Sequence, residues 1–189
     1  MHKSTNKIFR LQRLPVGSWS KKLFSSGYFA VSAILARRWT GLILVVILLD
    51  QATKLYFHSN FRLGERVNVL PFFDWILAYN PGAAFSFLAN AGGWQRWFFV
   101  ALAIAVCIWC WRWLQREPDA RVQLALALII SGALGNVIDR IWLGKVIDFV
   151  LVYWAPWDWY YPAFNVADSS ICIGAALMLW SALFGKRAD

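Results

Sequence analysis

Four stretches of the chain, about Trp39 to Phe57, Trp94 to Trp113, Val122 to Trp142 and Ala163 to Phe184, stay apolar for close to the ~20 residues that a bilayer core demands. They predict four membrane-spanning helices. The segment from His58 to Gly93 breaks that pattern: Val67, Val69, Trp75, Leu77 and Tyr79 alternate with other residues, which predicts short strands. Asn80-Pro81-Gly82 reads as a turn and Ala83 to Leu88 as a return strand, together a small extramembrane β-sheet. The second connection, Leu143 to Pro162, holds a Trp and Tyr cluster from Val150 to Tyr161 broken by Pro156, suited to resting in the membrane interface.

The flanking charges orient these spans. Arg37 and Arg38 precede the first, Arg112, Arg116 and Arg121 separate the second from the third, and Lys186 and Arg187 follow the fourth, so both termini are expected in the cytoplasm. Alternate helices then run in opposite directions, and the polar residues inside them fall at one depth. Asp50, Gln51 and Lys54 end the first helix, Asn136, Asp139 and Arg140 end the third, and Asn165 and Asp168 begin the fourth, all at the outer face. Asp50 and Lys54 are four apart, and Asp139 and Arg140 follow Asn136 by three and four, so each set lines one helix face, turned into the bundle. Ser131, Gly132 and Gly135, with Gly174, Ala175 and Ala176, allow close helix approach, and the second helix, lacking carboxylates, serves as scaffold. The expected fold is membrane all-α: a compact four-transmembrane-helix bundle with a small sheet and an aromatic loop on its outer face.

Composition agrees with a membrane protein. The chain of 189 residues is 60% hydrophobic and 15% charged, with mean hydropathy +0.50. Its net charge of +9 follows from membrane topology and from residues 1–36, a basic cytoplasmic extension with no acidic residue, whose run Gly27 to Leu35 is expected to lie along the membrane surface. That arm has no aromatic platform for nucleic acid, and residues 37–189 are expected to form the membrane domain. Cys107 and Cys110 spell C-x-x-C but stand in a Trp-rich, lipid-facing setting and, with Cys172, read as small apolar residues. His2 and His58 are the only histidines, and there is no Gly-rich phosphate loop or serine elbow; no metal or cofactor is expected.

The stretch from Gly132 to Ser169 packs Asp139, Arg140, Asp148, Asp158 and Asp168, with Asn136 and Asn165, between apolar runs where acidic residues are expensive, and so reads as a site. Two carboxylates held close together share one proton and can hydrolyse a peptide by activating water, one as base and one as acid. Asp168 is one candidate, in the first turn of a helix capped by Asn165. Its partner is left open. The repeated tetrad Asn-Val-x-Asp, at Asn136 to Asp139 and Asn165 to Asp168, nominates Asp139, while Asp148 has no local partner except Lys145. The opposing reading is a polytopic scaffold or transporter whose charges pair internally, Asp50 with Lys54 and Asp139 with Arg140, which leaves Asp148 and Asp168 without a reason.

The set Asp50-Gln-Ala-Thr-Lys54, Asn80-Pro-Gly-Ala-Ala-Phe85, Gly135-Asn-Val-Ile-Asp-Arg140, Val146-Ile-Asp148-Phe149 and Phe164-Asn-Val-Ala-Asp-Ser169 closely resembles the motifs of the bacterial lipoprotein signal peptidases, signal peptidase II, in their order over about Trp39 to Phe184. The resemblance implies an aspartic endopeptidase of the bacterial inner membrane with Asp148 and Asp168 as catalytic dyad. It implies that Asp50, Lys54, Asn80, Asn136, Asp139, Arg140 and Asn165 shape the site and hold substrate. The implied substrate is a diacylglyceryl-modified prolipoprotein, cut before the lipidated Cys by a monomer in contact with membrane lipid. Asp148 is expected to carry the resting proton. The chain departs from the family in its longer basic arm and in Pro81, which stands where a residue with a backbone N–H is usual.

Overall fold

The computed structural model of the chain describes the backbone of residues 26–82 and 93–184, and side chains from residue 38 onward within them. The expected return strand at Ala83 to Leu88, most of the basic arm, and Lys186 and Arg187 lie outside the described residues. The chain divides into two units, Met1–Ile34 and Leu35–Asp189. In the first, the described residues are helical, the beginning of helix α1, Ser26–Asn60.

Four helices are long and apolar enough to cross a membrane: Arg38–Asn60 within α1, then α2 (Trp94–Leu114), α3 (Ala120–Leu143) and α4 (Val166–Phe184). Helix α3 starts at Asp119, whose side chain accepts the Arg121 N–H, and stops at Gly144, whose φ of 78° only glycine adopts cheaply. It is the central helix, packed on both α2 and α4. At the α3–α4 crossing a Cβ on Gly174 would stand 2.7 Å from the Ala125 carbonyl oxygen, so the two backbones pass too close for any side chain there. On the opposite flank Trp39, Ile43, Cys107, Cys110, Leu114, Leu126 and Ile130 form one buried cluster. Cys107 and Cys110 therefore face the bundle interior, not lipid. Helix α2 is apolar all round, so its sequence marks no inner face, and the bulkier Ile108 and Trp109 take the outside.

The sheet has four antiparallel strands in the order β1 (Arg66–Leu70), β2 (Phe73–Asn80), β3 (Val146–Trp154) and β4 (Trp159–Tyr160). Its chain reversal between β1 and β2 falls at Pro71 and Phe72, and β2 then pairs with a strand from the connection between α3 and α4, Ala78 opposite Asp148 and Asn80 opposite Val146. Ile147 and Phe149 point into a second apolar cluster with Phe57 and Leu77, and the Phe57 and Phe149 rings stack at 4.5 Å. Alternation along the strand turns Asp148 to the other face. On β2 Asp74 is buried; burial alone would raise its carboxyl, but hydrogen bonds from Asn68, Arg66 and Tyr153 outweigh that and hold it below its ordinary value. Those bonds tie β1, β2 and β3 together.

Candidate active site

The site is assembled where the C-terminal ends of α1 and α3, the start of α4 and strand β3 converge. Helical spacing places Lys54 one turn after Asp50, and its Nζ lies 2.8 Å from Asp50 Oδ2. The same ammonium reaches Asp139 Oδ2 and Asn136 Oδ1 on α3, each at 2.9 Å, so its three protons are all used. Lys54, Asp50 and Asp139 are each at most 1% exposed, and only this mutual pairing makes their burial tolerable. Asp50 Oδ1 also accepts the Ala167 N–H at 2.8 Å, so a carboxylate of the first helix caps the fourth. Asp139 Oδ2 accepts the Ile147 N–H at 3.1 Å, fixing the start of β3.

Asp139 is thus ion-paired with Lys54 and not with Arg140, as adjacency in sequence suggests. Consecutive helical residues point about 100° apart, and the Arg140 guanidinium instead donates to the Asn136 carbonyl at 3.3 Å and lies over the Phe99 ring at 5.4 Å. There it stands in electrostatic reach of Asp168, Asp139 and Asp148.

Two asparagines join this cage to the two remaining carboxylates. Asn136 donates Nδ2 to Asp168 Oδ1 at 2.7 Å while its Oδ1 receives Lys54. Asn165, fully buried just before α4, accepts the Asp168 N–H on Oδ1 at 2.9 Å, the bond of a helix N-cap. Its Nδ2 donates to Asp148 Oδ1 at 2.7 Å and to the Ile147 carbonyl at 3.1 Å. Residue 165 reaches this point because Phe164 bridges to Val150, its N–H donating to the Val150 carbonyl at 3.0 Å and its carbonyl accepting from Phe149 and Val150. Asn80, at the end of β2, also hydrogen-bonds Asp148, and its Oδ1 accepts the Gly82 N–H at 2.9 Å to form the turn read from Asn80-Pro81-Gly82.

Burial, and behind it the nearby charge of Asp168, pushes the Asp148 carboxyl up to about 7, against the opposing bonds from Asn165 and Asn80 and the charge of Lys54. A carboxylic acid that keeps its proton near neutrality beside a second carboxylate is the arrangement that acid–base hydrolysis needs. From Asp168 a groove of about 500 Å³ runs between the aromatics Trp159, Tyr161 and Phe164 and the α4 residues Cys172 and Ile173. Among the described residues no group of three His, Cys, Asp or Glu is placed to hold a metal ion.

The nine residues that the motif resemblance assigns to the site meet in this one network, whereas Asp158, from the same stretch, stands apart in an exposed turn after β3. Gln51 joins them without having been singled out for the site: its Nε2 contacts Asp50 Oδ2 at 3.1 Å, the Gly135 carbonyl at 3.1 Å and Asp139 Oδ1 at 3.0 Å. Standing one residue from Asp50, it falls off the face that the four-residue spacing marks. Its place in the polar layer was the only signal available.

The family model described as signal peptidase (SPase) II matches residues 42–184. A lipoprotein signal peptidase of Polynucleobacter necessarius is 48% identical over 156 residues, covering 80% of this chain and 94% of its own. One from Chromobacterium violaceum is 55% identical over 144 residues, covering 75% and 88%. Among solved structures, a bacterial membrane enzyme obtained by the in meso method at 1.9 Å superposes with a TM-score of 0.67 at 28% identity, over 83% of this chain and 95% of that one.

Proposed function

The chain belongs to the signal peptidase II family, aspartic proteases that process prolipoproteins, and from that premise we propose that Asp148 and Asp168 are its catalytic dyad, cutting diacylglyceryl-modified prolipoproteins before the lipidated Cys. The observation that carries this reading is Asn165, whose one side-chain amide binds the Asp148 carboxyl and the backbone N–H of Asp168. Asp148 keeps the resting proton, and Asp168 accepts a proton from water as the water attacks the scissile carbonyl. Asp148 polarises that carbonyl and then gives its proton to the departing amine. Asp50, Lys54, Asn136, Asp139 and Asn165 hold the two carboxyls in place, while Asn80 and Arg140, at the rim, meet the substrate backbone.

The groove beside Asp168 suits a substrate that is half lipid and half peptide, since its walls are apolar and aromatic and its one charged side chain is the catalytic one. The flanking arginines favour both termini in the cytoplasm and the dyad at the outer face of the bacterial inner membrane. The enzyme acts as a monomer in contact with lipid and without nucleic acid, and residues 1–36 remain a basic cytoplasmic extension. The test is processing of a diacylglyceryl-modified prolipoprotein by Asp148→Asn and Asp168→Asn. Both lose cleavage; signal-peptide removal at the normal rate by either one rules the dyad out.

A further inference from the structure

A second apolar cavity, of about 480 Å³, opens between α1, α2 and α3 at the end of the bundle away from the dyad. Its walls are Ile43, Ile104, Cys107, Ile108, Ile130 and Leu134. Its polar end is formed by Thr40 and by Arg112, the one charged side chain in the lining. From Ile104 to Arg112 the helix rises about 12 Å, most of one leaflet of a hydrocarbon core about 30 Å thick. The cavity is therefore an elongated slot with a guanidinium at membrane-surface depth. Ile104 and Ile108 on its rim are exposed, so the slot is open to the side, toward lipid.

We propose that this slot binds one acyl chain of an anionic phospholipid in the leaflet opposite the dyad, with the lipid phosphate held by Arg112. The apolar walls take a hydrocarbon chain, and a guanidinium fork matches phosphate oxygens two at a time. Arg38, Arg116 and Arg121 cluster at the same end and raise the local density of anionic headgroups. The same charges argue against a substrate signal peptide as occupant, because its basic N-terminal region would face like charge at Arg112. The slot shares no residue with the catalytic network, so this proposal stands or falls apart from the dyad.

The full-length protein, reconstituted in nanodiscs of equal phosphatidylglycerol and phosphatidylcholine and released into mild detergent, is read by native mass spectrometry for lipid adducts. The expected result is several-fold enrichment of phosphatidylglycerol. That bias is lost in Arg112→Gln, partly kept in Arg112→Lys and unchanged in Arg116→Gln, and Ile108→Trp, which fills the slot, reduces the biased adducts. Equal retention of the two lipids overturns the proposal, as does a bias that survives Arg112→Gln or vanishes equally in Arg116→Gln. Prolipoprotein processing by each variant reports folding. Should Arg112→Gln fail to fold, Ile108→Trp decides, and biased adducts undiminished in it overturn the site.

Discussion

Asn165 donates its side-chain Nδ2 to Asp148 Oδ1 at 2.7 Å while its Oδ1 takes the backbone N–H of Asp168 at 2.9 Å, so a single buried amide ties the Asp148 carboxyl to the helix start that carries Asp168. Cap and clamp are one residue. Asn165→Ala loses the cap, at about 1 kcal/mol, and also releases Asp148, and a displacement near 1 Å costs about 100-fold in rate. Asn165→Ser keeps an oxygen for the cap, but its short hydroxyl does not reach Asp148 in place of Nδ2. Thermal unfolding in detergent therefore recovers in the serine variant while prolipoprotein cleavage does not. If the serine variant cleaves as well as the parent, the clamp is not what the amide contributes.

The raised carboxyl of Asp148 predicts the pH profile. Its proton is present below about 7 and lost as pH rises through that value, so kcat/KM falls on the alkaline side of neutrality. A rate profile unchanged across about two units on either side would refute Asp148 as the resting acid.

The same shift bears on stability, with a worked sign. Unfolded, Asp148 titrates near its ordinary 3.8; folded, near 7; so the native state holds the proton more tightly and the site costs nothing at low pH. As pH rises from 3.8 to 7 the cost of a buried negative charge appears, on the order of a few kcal/mol above 7. Asp148→Asn removes that charge. At mildly alkaline pH the variant is expected to be inactive and yet melt no lower than the parent, and a lower melting temperature there would mean that the carboxylate stabilises the fold.

The spans and the polar layer were legible because they depend on length, hydropathy and direction, all of which are local properties of the chain. The choice between Asp139 and Asp148 was not, because it turns on a contact between residues 85 apart: Lys54 claims Asp139, and Asp148 is left beside Asp168. Arg140 was misleading for the complementary reason, adjacency in sequence being separation on a helix. The sequence does not mark the strand carrying Asp148, since its partner, β2, comes from the connection between α1 and α2, and a short apolar run declares no partner. The motif resemblance supplied what spacing lacked.

Lys54 balances Asp50 and Asp139 in a site with almost no solvent. Lys54→Met strands both carboxylates, a loss of about 3–5 kcal/mol, and unties Asn136 from its place against Asp168. Adding Asp139→Asn removes one stranded charge. The double variant should melt above the single one, as read by thermal unfolding, without regaining cleavage, because Asn136 remains unanchored. Additive melting shifts in the two single variants would show that Lys54 and Asp139 are not coupled.

Gly135 is fixed by the same cage. A Cβ there would lie 2.6 Å from Asp50 Oδ2 and 3.2 Å from the Ala167 Cβ. Asp50 cannot swing aside, because Lys54, Gln51 and the Ala167 N–H all hold it. Gly135→Ala therefore gains helix propensity but costs about 1–3 kcal/mol in overpacking and shifts the start of α4, with loss of cleavage. Gly41, also helical, has nothing within 4 Å of such a Cβ, and Gly41→Ala should be neutral or stabilising by up to about 1 kcal/mol. Melting temperatures and cleavage rates of the two variants side by side separate propensity from approach. Equal behaviour of the two would mean that α1 and α3 have room for a methyl group beside Asp50.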